Sequence, residues 1–276
     1  MALSPEWYSF DSSCGRDGSI GPDCLTQLHD VSSVARPGKN EHMLFSAHVV
    51  DTSPLKALRR KTPQATDVPG LLSARTGLCA PFSKGALPRP QLSRELMVGC
   101  WADEAALDTF LSSNPVGEVL AAGWEMRMEL FRAVGVWPGL EAKPIHEAAA
   151  EGSQGDGPTV AVTIGTAYLR TVVPFLRVNN GLEEQFLDTD TGVWGSGFTN
   201  LPQRLVGTLS VWESGDAAVE YMKSGAHGAA VDAHFDPKKD PTGHTYVTGG
   251  GFFGFRPLST RGSIGGKNPS PELILT

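Results

Sequence analysis

The sequence predicts an α+β protein: two tandem ferredoxin-like β-α-β-β-α-β units packed as one pseudo-dimeric α+β barrel. Three observations predict it. The chain repeats internally, a breaker-rich stretch divides it near residue 150, and each half alone would leave one sheet face bare. The repeat is carried by Leu96-Met-Val-Gly-Cys-Trp101 with Ala105-Ala-Leu-Asp-Thr-Phe-Leu-Ser112, and by Gly207-Thr-Leu-Ser-Val-Trp212 with Ala217-Ala-Val-Glu-Tyr-Met-Lys-Ser224. Each reads as a strand ending in Trp, an acidic turn and an amphipathic helix. The tryptophans are 111 residues apart and the helices 112, which implies one extra turn residue in the second half.

The elements follow in order. Residues 1–41 are rich in Ser, Gly, Asp and Pro without periodicity and read as an arm. The first unit, 42–137, starts with an apolar strand from Met43 to Val50 and a helix opened by Pro54. It continues with the strand Ser73 to Cys79, the Trp101 strand and its helix, and a closing strand from Glu125 to Val134. Residues 138–158, with Glu151-Gly-Ser-Gln-Gly-Asp-Gly-Pro158, have linker chemistry. The second unit, 159–261, repeats the order: a strand from Thr159 to Thr166, a helix from Leu169 to Asn179, a strand from Gly192 to Phe198, the Trp212 strand and its helix, and a strand from Tyr246 to Phe255. Residues 262–276 form a Gly/Pro/Ser-rich tail. Two helices cover one face of such a sheet, and pairing the sheets buries the other. Phe45, Val49 and Val50, with Val160, Val162 and Ile164, favour that pairing over two separate α+β domains.

Composition narrows the function. At 276 residues the chain holds one or two domains, with enough length for a core without disulfides. A net charge of −7 argues against general nucleic-acid binding, which needs clustered Lys and Arg. No run approaches the length of a spanning helix, and the first twenty residues lack a signal-peptide core, so a cytoplasmic protein without stable membrane insertion is expected. Cys14, Cys24, Cys79 and Cys100 contain no Cys-x-x-Cys pair, and Cys79 and Cys100 sit in apolar runs that suggest buried thiols. Neither a Gly-x-Ser-x-Gly elbow, a His-Glu-x-x-His motif nor a dinucleotide fingerprint is present, and Gly249-Gly-Gly251 lacks the Lys-Ser/Thr of a phosphate loop.

Several segments carry a resemblance to a known family. Arg204-Leu-Val-Gly-Thr-Leu-Ser-Val-Trp-Glu213, the helix leading to Gly225-Ala-His227, the strand Phe252-Phe-Gly-Phe-Arg-Pro-Leu258 and the segment Ser259 to Pro269 resemble the spheroidene monooxygenases. Gly70-Leu-Leu-Ser-Ala-Arg-Thr-Gly77 and Phe82-Ser83 match in outline, so the likeness spans roughly residues 43–269. It implies a haem-dependent oxygenase acting on a hydrophobic small molecule, with haem iron as the oxygen-activating centre. More distantly the duplicated barrel resembles chlorite dismutases and aldoxime dehydratases, in which a helix-borne His of the C-terminal half holds the iron.

Seven histidines are available. His29 and His146 fall in arm and linker, His42 precedes the first strand, and His48 within it reads as a packed side chain. His227 lies among Gly225, Ala226, Gly228, Ala229 and Ala230, a small surface beside which a planar group can approach. The site equivalent to it in the first half is Pro115, so only the second half offers this ligand. The alternative is a close helix contact with His227 as bystander. His234, seven residues on, would share its face, but no carboxylate completes a facial triad. His244 is the candidate for a distal role. Arg170, Arg177 and Arg204 are candidates for pairing with haem propionates, or equally for a solvated face. Trp194, Phe198 and Phe253, with Phe252 and Phe255, would line a substrate pocket or fill an ordinary core. Electrons would come from an external donor such as a ferredoxin. Two rivals stay open: a haem-dependent lyase resembling aldoxime dehydratase, and a cofactor-free barrel binding a lipophilic ligand.

Overall fold

The computed structural model describes residues 43–84, 89–168, 172–225, 227–229 and 247–269. The first half runs β1 (Leu44–Asp51), α1 (Pro54–Arg59), β2 (Leu71–Pro81), β3 (Arg94–Trp101), α2 (Glu104–Ser113), α3 (Pro115–Ala121) and β4 (Trp124–Gly135). After α4 (Ala142–Glu151) come β5 (Thr159–Ala167), α5 (Val172–Leu187), β6 (Gly192–Asn200), β7 (Leu205–Trp212), α6 (Gly215–Lys223) and β8 (Val247–Arg261). Local chemistry sets the helix starts. Ser53, Asp103, Asn114 and Ser214 cap α1, α2, α3 and α6, their side chains accepting from backbone N–H groups of the first turn, and Pro54 and Pro115 follow their caps directly.

All neighbouring strands are antiparallel and close into an eight-stranded barrel, β1-β3-β2-β6-β7-β5-β8-β4. The sequence suggests two sheets packed face to face; the structure also joins them edge to edge. Cys79 pairs with Phe198 across β2 and β6, and Glu129 with Arg256 across β4 and β8. Closure satisfies the backbone groups that four edge strands would otherwise expose. Alternation along β5 shows the logic: Val160, Val162 and Ile164 point into the barrel core, while Thr159, Ala161 and Thr163 point outward toward the helices. The interior is filled. Phe45 stacks on Trp137 and Phe255 at ring distances of 5.1 and 5.0 Å, and Trp137 reaches Phe253 at 5.0 Å.

The segment that reads as linker holds a helix. Ala142-Lys-Pro-Ile-His-Glu-Ala-Ala-Ala-Glu151 forms α4, which packs on β4 and buries Ile145 in the barrel core. The Gly and Pro residues at the edges of 138–158 obscure its alanine-rich centre. Part of the tail is structured too: Asn268 Oδ1 accepts from Trp124 Nε1 at 3.3 Å. No helix among the described residues is long and apolar enough to cross a membrane. Cys79 and Cys100 are buried free thiols, and burial pushes the Cys79 pKa up to about 12.

The first half seals its helix–sheet interface around one polar group. Ser46 Oγ accepts from Trp101 Nε1 at 2.9 Å and lies 3.0 Å from His48 Nε2; His48 is fully buried, and its Nδ1 has no partner among the described residues. Burial lowers the His48 pKa from 6.5 to about 4 against the opposing pull of Glu125. The folded-state value lies below the unfolded one, so its stability contribution is complete above pH 6.5 and falls away as pH drops toward 4. Across that window His48 should cost about 3 kcal/mol of stability. Denaturant titrations at each pH should show this loss in the wild type and a shallower slope in His48→Gln.

Candidate active site

The halves differ most where helices cover the outer sheet face. Leu44 pairs with Trp101 across β1 and β3, as Thr159 does with Trp212 across β5 and β7. Counting from those pairs, outward-facing Leu44, Val50 and Met97 correspond to Thr159, Gly165 and Thr208. The helices change in the same sense. Caps Asp103 and Ser214 lie 111 residues apart, so Leu107 and Phe110 of α2 correspond to Ala218 and Tyr221 of α6. In the first half Leu44, Val50, Met97 and Trp101 pack with Leu107, Phe110 and Leu111 into a continuous second core. In the second half the same interface holds a cavity of about 200 Å³, bordered by Thr159, Gly165, Thr208, Trp212 and Ala218. Each large-to-small change of this kind costs about 2–5 kcal/mol in a core, a loss that a bound ligand offsets.

His227 stands at the wall of this cavity and is 9% exposed. Beyond α6 the chain breaks at Ser224 and turns back into helix at 225 and 227–229. Its glycines have a backbone reason. Gly225 has φ +54°, and a Cβ on Gly228 would lie 2.5 Å from the Lys223 carbonyl oxygen. Gly225 and Gly228 thus have a backbone role at the break after α6. Since the caps are 111 apart, the extra turn residue inferred from sequence is absent, and the first-half counterpart of His227 is Val116, not Pro115. Val116 packs against the first-half helix core, where His227 meets the cavity.

The imidazole is held in one state. His227 Nδ1 lies 3.2 Å from the Met222 carbonyl, which only accepts, so Nδ1 carries the proton and Nε2 keeps its lone pair. Burial lowers the His227 pKa, with the Met222 carbonyl opposing, and the ring stays neutral. Tyr221 packs on it at a ring distance of 4.8 Å and donates its own hydroxyl to the Leu182 carbonyl at 2.8 Å. Gln185 clips the turn: Oε1 accepts from His227 N at 3.0 Å, while Nε2 donates to the Tyr221 and Ser224 carbonyls at 3.3 and 3.1 Å. A neutral imidazole with its proton committed elsewhere is the form a metal takes. Among the described residues no three His, Cys, Asp or Glu side chains gather as a metal-ion site. One imidazole beside an apolar cavity is the donor that a metal already held in a macrocycle, as in haem, would use, and the space bordered by the described residues takes only part of such a ring.

Sequence reasoning missed Glu183. It is 2% exposed on α5 and borders the same cavity. Oε1 accepts from Asn179 Nδ2 at 2.5 Å and Oε2 lies 3.4 Å from Ser83 N. Burial pushes its pKa up to about 7, against the lowering effect of those two donors. A signal exists in the sequence: Glu183 falls seven residues after Leu176 and next to Leu182, within the apolar stripe of an amphipathic helix.

The other predicted residues scatter. Phe253 borders the cavity, although its ring packs on Trp137 inside the barrel. Phe198 is buried in the interior core and Trp194 packs against it, 5.8 Å from Trp124, so neither belongs to the cavity wall. Arg204 is exposed, with φ 54°, at the entry to β7 and away from the cavity; Arg132 of β4 is the arginine that borders it. Arg170, His29, His42, His234 and His244 lie outside the described residues, as does the side chain of Arg177. His146 is exposed on α4.

No protein-family model and no curated protein matches the chain. Among solved structures, similarity extends to an aldoxime dehydratase in complex with butyraldoxime (9% identity, 78% of this chain and 79% of that one, TM-score 0.39). It also extends to an anthrone oxidase-like protein (13%, 81% and 94%, TM-score 0.30) and a monooxygenase-like protein from Listeria innocua (13%, 79% and 95%, TM-score 0.29). Likeness at this level says nothing of substrate or cofactor in this chain.

If the cavity arises from the outward-facing substitutions, restoring a first-half residue should close it. Thr208→Met, the change toward Met97, should leave stability equal or raised by about 1 kcal/mol, while abolishing binding of a small apolar probe such as naphthalene measured by equilibrium dialysis.

Proposed function

We propose that the two halves are tandem ferredoxin-like units, that the second binds haem through His227, and that the protein is a monooxygenase acting on a hydrophobic small molecule. One observation carries the reading: a buried neutral imidazole borders a cavity at the interface that the first half fills with side chains. The resemblance of Arg204–Glu213 and Phe252–Leu258 to spheroidene monooxygenases points the same way. Bound there, haem would supply the redox chemistry that activates O₂.

The chain's own residues bind, orient and exclude water. Ala161, Phe186, Val206 and Trp212 give the cavity an apolar wall on which a hydrophobic substrate is desolvated. Met222 O fixes the proton at His227 Nδ1, so Nε2 keeps a lone pair with which it would hold the iron. Gln185 sets the position of the His227 backbone, and Tyr221 the plane of its ring. Electrons would arrive from a separate donor such as a ferredoxin, because no flavin or nicotinamide fingerprint is present in the sequence.

His227→Ala should abolish or greatly weaken the Soret band of haemin-loaded protein while the circular dichroism spectrum is kept. His234→Ala and His244→Ala should retain the band. Loss in either of those, with none in His227→Ala, moves the ligand. Oxygen consumption during turnover separates a monooxygenase from a haem-dependent lyase, which consumes none; a protein that never takes up haemin is a ligand-binding barrel.

A further inference from the structure

We propose that Glu183 is the residue of the second-half cavity that accepts a hydrogen bond from the bound substrate, and that the substrate class is an apolar ring compound carrying one hydroxyl group. The proposal rests on reading this cavity as the ligand site, and it does not depend on haem. A buried carboxyl group on a largely apolar wall is costly. Its neighbours show that the structure builds a place for it. Asn179 Nδ2 holds Oε1 at 2.5 Å, whereas Oε2 has only the long 3.4 Å approach of Ser83 N. That oxygen has acceptor capacity to spare. Ser83 Oγ, on the same residue, is buried without a hydrogen-bond partner among the described residues. A hydroxyl donating to Oε2 would complete the carboxylate while the rings of the ligand lie against Phe186, Trp212 and Val206. About 150 Å³ of apolar cavity accepts one benzene ring, so about 200 Å³ suits a small fused-ring molecule.

The ionisation of Glu183 decides the strength of that contact. Its pKa of about 7 makes it an acceptor-only carboxylate at pH 8 and mostly a protonated acid at pH 6. Among the described residues, the other titratable groups bordering the cavity are Arg132 of β4, Tyr221 of α6 and His227. Burial raises the Tyr221 pKa and lowers that of His227, so among these groups the change expected between pH 6 and 8 is that of Glu183.

The test compares 1-naphthol with naphthalene by equilibrium dialysis against the purified full chain. At pH 8, 1-naphthol should bind about tenfold tighter, the worth of one hydrogen bond to a charged acceptor. The advantage should shrink at pH 6. Glu183→Gln, nearly isosteric, should lose both the advantage and its pH dependence while keeping naphthalene affinity. Equal binding of the two probes by the wild type, or an advantage that persists in Glu183→Gln, overturns the proposal. So does an advantage that is flat with pH in the wild type, a readout that stands even if the variant fails to fold. Failure to bind either probe, with haemin still giving a Soret band, overturns the role of Glu183 but leaves the haem reading standing. Selective binding of 1-naphthol without haemin uptake does the reverse.

Discussion

Closure of the barrel governs everything else in this protein. Once β2 pairs with β6 and β4 with β8, the sheet has no free edge, and its interior is a sealed space of fixed width that side chains must fill. Phe45, Trp137, Phe253 and Phe255 do so. A ligand is therefore left with the outer face, between strands and helices. That face exists twice, and the two copies have been used differently.

The first copy is structural. Its Leu, Val, Met and Trp side chains pack with α2, and Arg127 donates to Glu125 at 2.8 Å and also reaches Glu104 and Asp108 on α2. The second copy gives up that packing. Trp212 donates its indole N–H to Ser210 of its own strand at 2.9 Å, whereas Trp101 donates to Ser46 of the neighbouring β1, so each indole keeps a partner while the bulk around Trp212 is smaller. Packed side chains fill one interface and a cavity occupies the other. The division agrees with the general observation that functional sites violate packing rules that the rest of a fold obeys.

Much of this architecture was legible in the sequence because strands and caps leave local marks. Trp101 and Trp212, each two residues before a capping Asp or Ser, gave the repeat its register. Val160, Val162 and Ile164 declared the inward face of β5 by simple alternation. What was not legible depended on three-dimensional placement. Trp194 and Phe198 read as pocket residues because aromatics mark both pockets and cores, and only the barrel's curvature assigns them inward. Arg204 looked like an anion partner although the turn into β7 directs it to solvent. His227 attracted notice for its glycine neighbours, which have backbone roles of their own, and the residue does border the cavity. Glu183 went unnoticed because adjacent Glu183 and Glu184 look like one solvated patch, and only the helix phase separates the buried carboxylate from its neighbour.

The central claim is spatial: the ligand site lies between the second-half sheet and its helices, with His227 as the metal donor. Iron anomalous scattering from crystals of the haemin-loaded protein tests it directly. The account predicts one anomalous peak per chain, within bonding distance of His227 Nε2 and outside the barrel wall formed by β5 and β7. A peak inside the barrel, in the first-half interface, or bonded to any other side chain would contradict it.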